Sequence, residues 1–252
     1  MHLKNISALV TGGGSGMGAE TARKLAEQGA KVAILDINLA NAEKIAQEIN
    51  GIAVQCDVSD AANATTAIEQ VNRILGPVRI CVNCAGIAPA KRIVGREGAM
   101  PLDDFRKVID INLIGTFNIM RLTATHMSKL DALNDSNERG VIINTASVAA
   151  FEGQIGQAAY SASKGGIVAL TLPAARELAQ FGIRVVTIAP GIMETPLLST
   201  LPEQVQTSLK TMVPFPKRLG KTSEYAKLVL HIIDNIYING EVIRLDGAIR
   251  MP

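Results

Sequence analysis

The stretch Ile6–Gln28, ISALVTGGGSGMGAETARKLAEQ, decides the fold. Ile6 to Val10 form a short apolar run of the kind that makes a strand. Thr11-Gly12-Gly13-Gly14-Ser15-Gly16-Met17-Gly18 follows, and then the helix-forming AETARKLAEQ. Strand, glycine turn and helix in that order is the context in which such a cluster points to phosphate binding. Gly12 allows the tight turn, Gly16 lets backbone approach a pyrophosphate, and Gly18 lets helix pack closely on strand. The pyrophosphate charge would face the free N–H groups around Ser15 and Met17, at the positive end of the helix. The spacing Gly-x-x-x-Gly-x-Gly is a variant of the usual dinucleotide fingerprint. No Gly-Lys-Ser/Thr follows, which excludes a P-loop.

Outward from this stretch the chain alternates. Strand-like runs occupy Ala8–Val10, Lys31–Asp36, Ile52–Cys56, Ile80–Asn83, Val141–Thr145, Arg184–Ala189 and Val242–Leu245. Helical patterns fill 17–28, 39–49, 60–75, 102–131, 157–180 and 222–235. Continuous apolar strands alternating with helices imply a parallel sheet covered on both faces. The expectation is an α/β fold: one doubly wound Rossmann-type domain over residues 1–252, with a seven-stranded, mostly parallel sheet. Segments 87–101, 131–140 and 191–220 read as irregular.

The second strand ends in Asp36, 18 residues after Gly18. A carboxylate there accepts hydrogen bonds from ribose hydroxyls and repels a 2′-phosphate. Ile37, Asn38 and Leu39 supply no arginine, so NAD(H) is favoured over NADP(H). Asp36 can also cap the helix that begins near Ala40.

Composition excludes other classes. With 252 residues, 48% hydrophobic, the chain can bury the core of one sizeable domain. A formal net charge of +2 argues for neither nucleic acid nor a membrane surface, and no apolar run is long enough to span a bilayer. Without Trp and with 3% aromatics, stacking platforms for nucleic acid are missing. Met1 leads directly into the first strand without a signal-like apolar segment, so a cytoplasmic protein is expected. Cys81 and Cys84 flank two residues of a strand-like run, where residues three apart face opposite sides. With only three histidines, at positions 2, 126 and 231, no zinc set forms, and buried inert thiols are expected.

Ser147–Lys164, SVAAFEGQIGQAAYSASK, carries the chemistry. Tyr160 and Lys164 are four apart and share one helix face. An ammonium beside a phenol should draw its pKa down from ~10 toward the range of a working acid/base. Ser147, at the end of a strand, can hydrogen-bond a substrate oxygen while Tyr160 moves its proton. Together with a nicotinamide, this is a set for interconverting an alcohol and a carbonyl.

These motifs resemble the short-chain dehydrogenase/reductase family over the whole chain. The likeness rests on the glycine turn, Asp57-Val58, Asn83-Cys84-Ala85-Gly86, Asn112, Ser147, Tyr160 with Lys164, and Pro190-Gly191 followed by Thr195. The resemblance implies that Asn112 is catalytic, a main-chain distortion there holding a water that links solvent to Lys164. It also implies cofactor contacts from Asp57, Val58, Asn83, Ala85 and Gly86, from Tyr160 and Lys164, and from Pro190, Gly191, Ile192 and Thr195. Cys84 stands where the family more often has Asn.

A closer resemblance is to the type II branch of 3-hydroxyacyl-CoA dehydrogenases, which also oxidise some hydroxysteroids. It is carried by residues 140–168, by TIAPG at 187–191, by VPFPKRLG at 213–220 and by NGEVIRLDGAIRM at 239–251. It implies an acyl-CoA substrate, NAD as cofactor and a homotetramer built partly from helices 102–131 and 157–180. Phe151, Gln154 and Gln157 are candidate wall residues, Gln157 the one expected to touch substrate. A lid is expected over about 191–220, with Gly191 as a hinge and Met212 and Phe215 suited to an apolar substrate. Lys91, Arg92 and Arg96 lie in a loop at the crevice mouth, either as contacts for CoA phosphates or as a solvated face. The other readings are a carrier-protein or acetoacetyl-CoA reductase, a hydroxysteroid or other secondary-alcohol dehydrogenase, and a non-catalytic NAD sensor or scaffold.

Overall fold

A computed structural model describes residues 1–195, 198 and 209–251. Seven strands form the central sheet: β1 Ser7–Thr11, β2 Lys31–Asp36, β3 Ile52–Gln55, β4 Val78–Asn83, β5 Gly140–Thr145, β6 Ile183–Pro190 and β7 Val242–Leu245. Their order is β3-β2-β1-β4-β5-β6-β7, and every ladder of this sheet is parallel. The chain order reverses between β1 and β4, the switch point at which open α/β sheets bind ligands. Register brings the strand ends level there: Thr11 lies beside both Leu35 and Asn83, and Asn83 beside Asn144.

Seven helices cover the sheet among the described residues: α1 Gly16–Glu27, α2 Leu39–Ile49, α3 Ala61–Leu75, α4 Leu102–Ile109, α5 Gly115–Met127, α6 Ala158–Ala179 and α7 Thr222–Asp234. Neighbouring strand residues point to opposite faces, so each strand feeds two cores. Ala8, Val10, Ile34 and Ile143 pack with Leu25 of α1, Ile45 of α2 and Val229 of α7. Leu9, Ala33, Leu35 and Ile142 pack with Ile68 of α3, Ile119 of α5 and Ala174 of α6. Asn38 and Asp60 begin α2 and α3 by accepting from the N–H groups of Asn41 and Asn63. Burial pushes the Cys56 and Cys81 thiols up to about 12, so neither is a thiolate at neutral pH.

At the opposite, N-terminal edge of the sheet, Arg184 is buried against Glu138. It donates to Glu138 Oε1 at 3.0 and 3.1 Å and to four carbonyls around the end of α7, Ile232, Ile233, Asn235 and Ile238. One guanidinium thus ties β6 and α7 to the loop before β5.

Two differences from the sequence reading matter. The helix expected over 102–131 is interrupted by a π-helical turn, Asp110–Ile114, and its last α-helical residue is Met127. Within 87–101 a two-residue hairpin pairs Val94–Gly95 with Gly98–Ala99. Most of the expected lid, Pro196–Pro216, lies outside the described residues. Its two ends are tied together: Glu194 N–H donates to Gly220 O at 2.7 Å, and Gly220 N–H to Ile192 O at 2.9 Å. No helix among the described residues is long and apolar enough to cross a membrane, and no three His, Cys, Asp or Glu side chains among them cluster as metal ligands.

Candidate active site

A cleft of about 1210 Å³ runs along the C-terminal ends of the strands. Its cofactor half begins at the glycine turn. Gly12 is left-handed, φ 60°, and a Cβ there would lie 2.8 Å from the Ala85 Cα. A Cβ on Gly18 would lie 2.3 Å from the Gly12 carbonyl oxygen, so α1 can sit this close only because Gly18 has none. Thr11 Oγ1 accepts the N–H groups of Cys84 and Ala85 at 3.2 Å each, fastening the turn after β4 to the glycine turn. Ser15, the cap of α1, makes no side-chain capping bond, and no acid stands in the first turn. The N–H groups there are open to an anion.

Ser15, Gly16, Met17 and Gly18 border the cleft beside Gly12. Asp36 borders it at the tip of β2, and Asp57 and Val58 after β3. The Asp36 carboxylate is anchored by two backbone groups, Gly14 N–H on Oδ2 and Asn38 N–H on Oδ1, each at 2.9 Å. Ala85 and Gly86 form the floor, with Pro190, Gly191, Ile192 and Thr195 along the far wall. Gly191 is explained by packing, since a Cβ there would meet Asp246 Cα at 2.9 Å. Asn83 is a correction. It does not border the cleft; its side chain donates to Asn144 Oδ1 at 2.9 Å inside the sheet, and its carbonyl accepts from Thr145.

The reacting groups meet in the middle. Ser147 follows β5 by two residues, and its Oγ accepts from Ala149 N–H at 3.1 Å, which fixes its rotamer. Tyr160 and Lys164 project from the first two turns of α6, with the Tyr160 phenol facing Ser147. The Lys164 ammonium is buried, donates to the Thr145 carbonyl at 2.7 Å, and lies 5.8 Å from the Tyr160 ring centroid. Asn112 sits in the π-helical turn, fully buried. Its Oδ1 accepts from Ile87 N–H at 2.8 Å, and its Nδ2 donates to Ile87 O at 2.9 Å and to Ser163 Oγ at 3.0 Å. Ser163 Oγ in turn donates to the Tyr160 carbonyl at 2.7 Å, so Asn112 braces the turn of α6 that carries Tyr160 and Lys164.

In the folded chain burial works against the lowering of the Tyr160 pKa expected from Lys164. Burial is the largest influence on Tyr160 and raises its pKa above 10.0, partly offset by the nearby Ser147 hydroxyl. Burial also pulls Lys164 down to about 8. Desolvation, rather than attraction to Lys164, dominates the phenol in the folded chain.

On the substrate side, Gln157 borders the cleft, its Oε1 held by Gln154 N–H at 2.9 Å. Phe151 does not: it is half exposed, with the Arg244 guanidinium 5.0 Å from its ring centroid. Gln154 is also outside the lining. Lys91 borders the cleft but is ion-paired with Asp104, whereas Arg92 and Arg96 stand exposed away from it. Phe215 is 82% exposed, and Met212 packs with Val148 and Val213. The sequence reading missed Thr11, Ile87 and Thr145, two of which act through backbone atoms that no side-chain motif announces. It also missed Met251, which closes the cleft from the C-terminal segment.

A family model described as short chain dehydrogenase matches residues 7–206. The chain belongs to the short-chain dehydrogenase family. Among its relatives in that family, 3-hydroxyacyl-CoA dehydrogenase type-2 of Bos taurus is 52% identical over 99% of this chain and 97% of its own. The 3-oxoacyl-[acyl-carrier-protein] reductase FabG of Thermotoga maritima is 33% identical over 99% of both. A solved structure, 3-hydroxyacyl-CoA dehydrogenase type-2 from Mycobacterium avium, superposes with a TM-score of 0.94 at 41% identity, covering 98% of this chain and 97% of that one. Membership in the short-chain dehydrogenase family implies a nicotinamide cofactor. The glycine turn and the uncapped start of α1 suit its pyrophosphate, since the N–H groups there have no side-chain cap and the turn can pack this closely only without a Cβ at Gly12 or Gly18.

Proposed function

We propose that this short-chain dehydrogenase interconverts 3-hydroxyacyl-CoA and 3-oxoacyl-CoA with NAD(H). The meeting of Ser147, Tyr160 and Lys164 at the switch point supports alcohol–carbonyl chemistry. One observation carries the substrate: 52% identity over 99% of the chain to a protein named for 3-hydroxyacyl-CoA, against 33% to one named for carrier-protein thioesters. Asp36, anchored at the tip of β2 with no arginine at 37–39, supports NAD over NADP.

Glycines 12, 16 and 18 and the start of α1 would hold the pyrophosphate, Asp36 the adenosine ribose, and Thr195 the nicotinamide side. The bound nicotinamide supplies the hydride acceptor or donor. In oxidation Tyr160 takes the hydroxyl proton, and Ser147 donates to the same oxygen and holds it in place. Lys164, gripped by the Thr145 carbonyl, places positive charge beside the phenol and stabilises the phenolate form the step requires. Asn112 keeps that turn of α6 in register with the loop at Ile87. Gln157 is the proposed substrate contact. A homotetramer in the cytoplasm is the proposed setting, supported by Phe117 of α5 and Leu172 of α6, each 44% exposed on the helices expected at the interface.

The test is a screen at 340 nm of acetoacetyl-CoA, acetoacetyl carrier protein and a ketosteroid, each with NADH and NADPH. Fastest turnover of acetoacetyl-CoA with NADH is expected; preference for the carrier protein with NADPH refutes the reading. Tyr160→Phe should lower kcat by about 10²–10⁴-fold while NADH still binds, and retained turnover would remove Tyr160 from its role.

A further inference from the structure

We propose that Tyr225, on α7 and outside the catalytic set, is a positioning residue for Lys164 that acts through Thr145. The inference rests on the alcohol–carbonyl reading above. Tyr225 is fully buried, and its hydroxyl lies 2.7 Å from Thr145 Oγ1. Thr145 Oγ1 also lies 2.6 Å from the Asn83 carbonyl.

The direction of each bond follows from proton counting. A carbonyl only accepts, so the single Thr145 hydroxyl proton goes to Asn83 O. The Tyr225 hydroxyl therefore donates to Thr145 Oγ1, and its own oxygen accepts the Cys84 thiol at 3.6 Å. The result is one directed chain, Cys84 to Tyr225 to Thr145 to the backbone of β4, with every proton assigned. It fixes the Thr145 side chain between β4 and α7. The main-chain carbonyl of that same residue grips the Lys164 ammonium at 2.7 Å. Ser147 lies two residues further along the same strand end. A helix on the far side of the sheet edge thus sets where the lysine and the serine stand.

This also gives Cys84 a purpose. A thiol in that position supplies a weak donor to Tyr225 and little else; burial raises its pKa, so it is not a nucleophile. A merely structural Tyr225 would contribute to the core shared with α1, and its hydroxyl would matter only to thermal stability.

The experiment compares the parent enzyme with Tyr225→Phe, Thr145→Val and the double variant, using acetoacetyl-CoA with NADH, and the hydroxyacyl-CoA with NAD⁺ across pH. Tyr225→Phe keeps the ring and removes the donor. It should lower kcat about tenfold, well short of the ~100-fold that a 1 Å misplacement can bring, with KM for the nucleotide within about twofold. The acidic limb of the oxidative kcat profile should move to higher pH, because a loosened ammonium stabilises phenolate less. Adding Tyr225→Phe to Thr145→Val should have no further effect, since the coupling runs through the threonine hydroxyl. A Tyr225→Phe enzyme with lower Tm but parental kcat and pH profile overturns the proposal, as do additive effects in the double variant. If Tyr225→Phe does not fold, Thr145→Val alone must show the kcat loss and the pH shift, and parental values there refute it. A parent enzyme inactive on every thioester, alcohol and ketone tested would instead sink the functional reading itself.

Discussion

Replacing Lys164 with methionine should abolish turnover and, at neutral pH, make the protein more stable. Lys164 is buried, and burial lowers its pKa from 10.5 to about 8. Each pH unit of displacement is worth about 1.4 kcal/mol, so below pH 8 the folded state bears a penalty of about 3 kcal/mol for keeping the ammonium charged. Methionine removes the charge but leaves the Thr145 carbonyl without its partner, a loss of about 1–3 kcal/mol for a buried acceptor. The net expectation at pH 7 is a gain of about 1 kcal/mol, or ~2–4 °C in Tm for a chain of this size. The pH dependence is the sharper signature. Between pH 8 and 10.5 the unfolded lysine holds a proton that the folded one has released, so parental stability rises with pH through that window. Lys164→Met lacks this rise, and its advantage should disappear and reverse as the pH approaches 10.5. Urea unfolding followed by far-UV circular dichroism suits a chain without tryptophan. Taking the difference between the two proteins cancels the tyrosine titrations they share. A Lys164→Met protein less stable than its parent at pH 7, by a margin that does not change to pH 10.5, would refute the reasoning.

Glu138→Gln should destabilise by about 3 kcal/mol, the low end for breaking a buried pair, because four carbonyls still accept from Arg184. A Tm within 2 °C of the parent, measured by calorimetry, would show that the carbonyls alone suffice, and kcat at 25 °C should be unaffected because the pair is remote from the cleft. Gly18→Ala forces a Cβ to 2.3 Å from the Gly12 oxygen and should weaken NADH binding at least tenfold by fluorescence titration; unchanged affinity would mean α1 is free to slide. Asp36→Asn keeps an acceptor for Gly14 N–H but removes the charge and the acceptor for Asn38 N–H, so the NADH-over-NADPH preference should narrow about tenfold, ~1.4 kcal/mol, with only a small loss of Tm because that second bond is exposed. An unchanged preference would place discrimination elsewhere.

Much of this was legible because the signals are short-range. β1, β2 and β5 announce themselves as apolar runs, and buried parallel strands have no other way to be written. The glycine turn and the Tyr160–Lys164 spacing likewise place their residues by local geometry. The π-helical turn was legible only through the family resemblance, which implied a main-chain distortion at Asn112, and not from the residues of the turn themselves. Asp110–Ile114 reads DINLI, without glycine or proline, and one extra residue per turn leaves the apolar spacing almost intact. Asn83 was misplaced because a motif gives position along the chain, not the direction a side chain takes at a strand end; Asn144 on the neighbouring strand claims it. Phe151 looked like a pocket wall by position, but Arg244, itself paired with Glu152, draws the ring outward. Thr145 contributes a carbonyl to the site, and a carbonyl is the same on every residue.

The joined ends at Glu194 and Gly220 bear on how such a protein changes its tastes. Two hydrogen bonds join Ile192 and Glu194 to Gly220, and between them Val213 packs with Val148 and Ile249 while Phe215 N–H donates to the Gly247 carbonyl. Positions 196–208 are the cassette that this anchored socket carries in the sequence. Its sequence and length can be rewritten at an entropic cost that grows only with the logarithm of length, while the socket holds β6 and the start of α7 where they are. Grafting a relative's equivalent of 196–208, with Thr195 kept, should therefore transfer acyl preference and leave nicotinamide affinity with the parent.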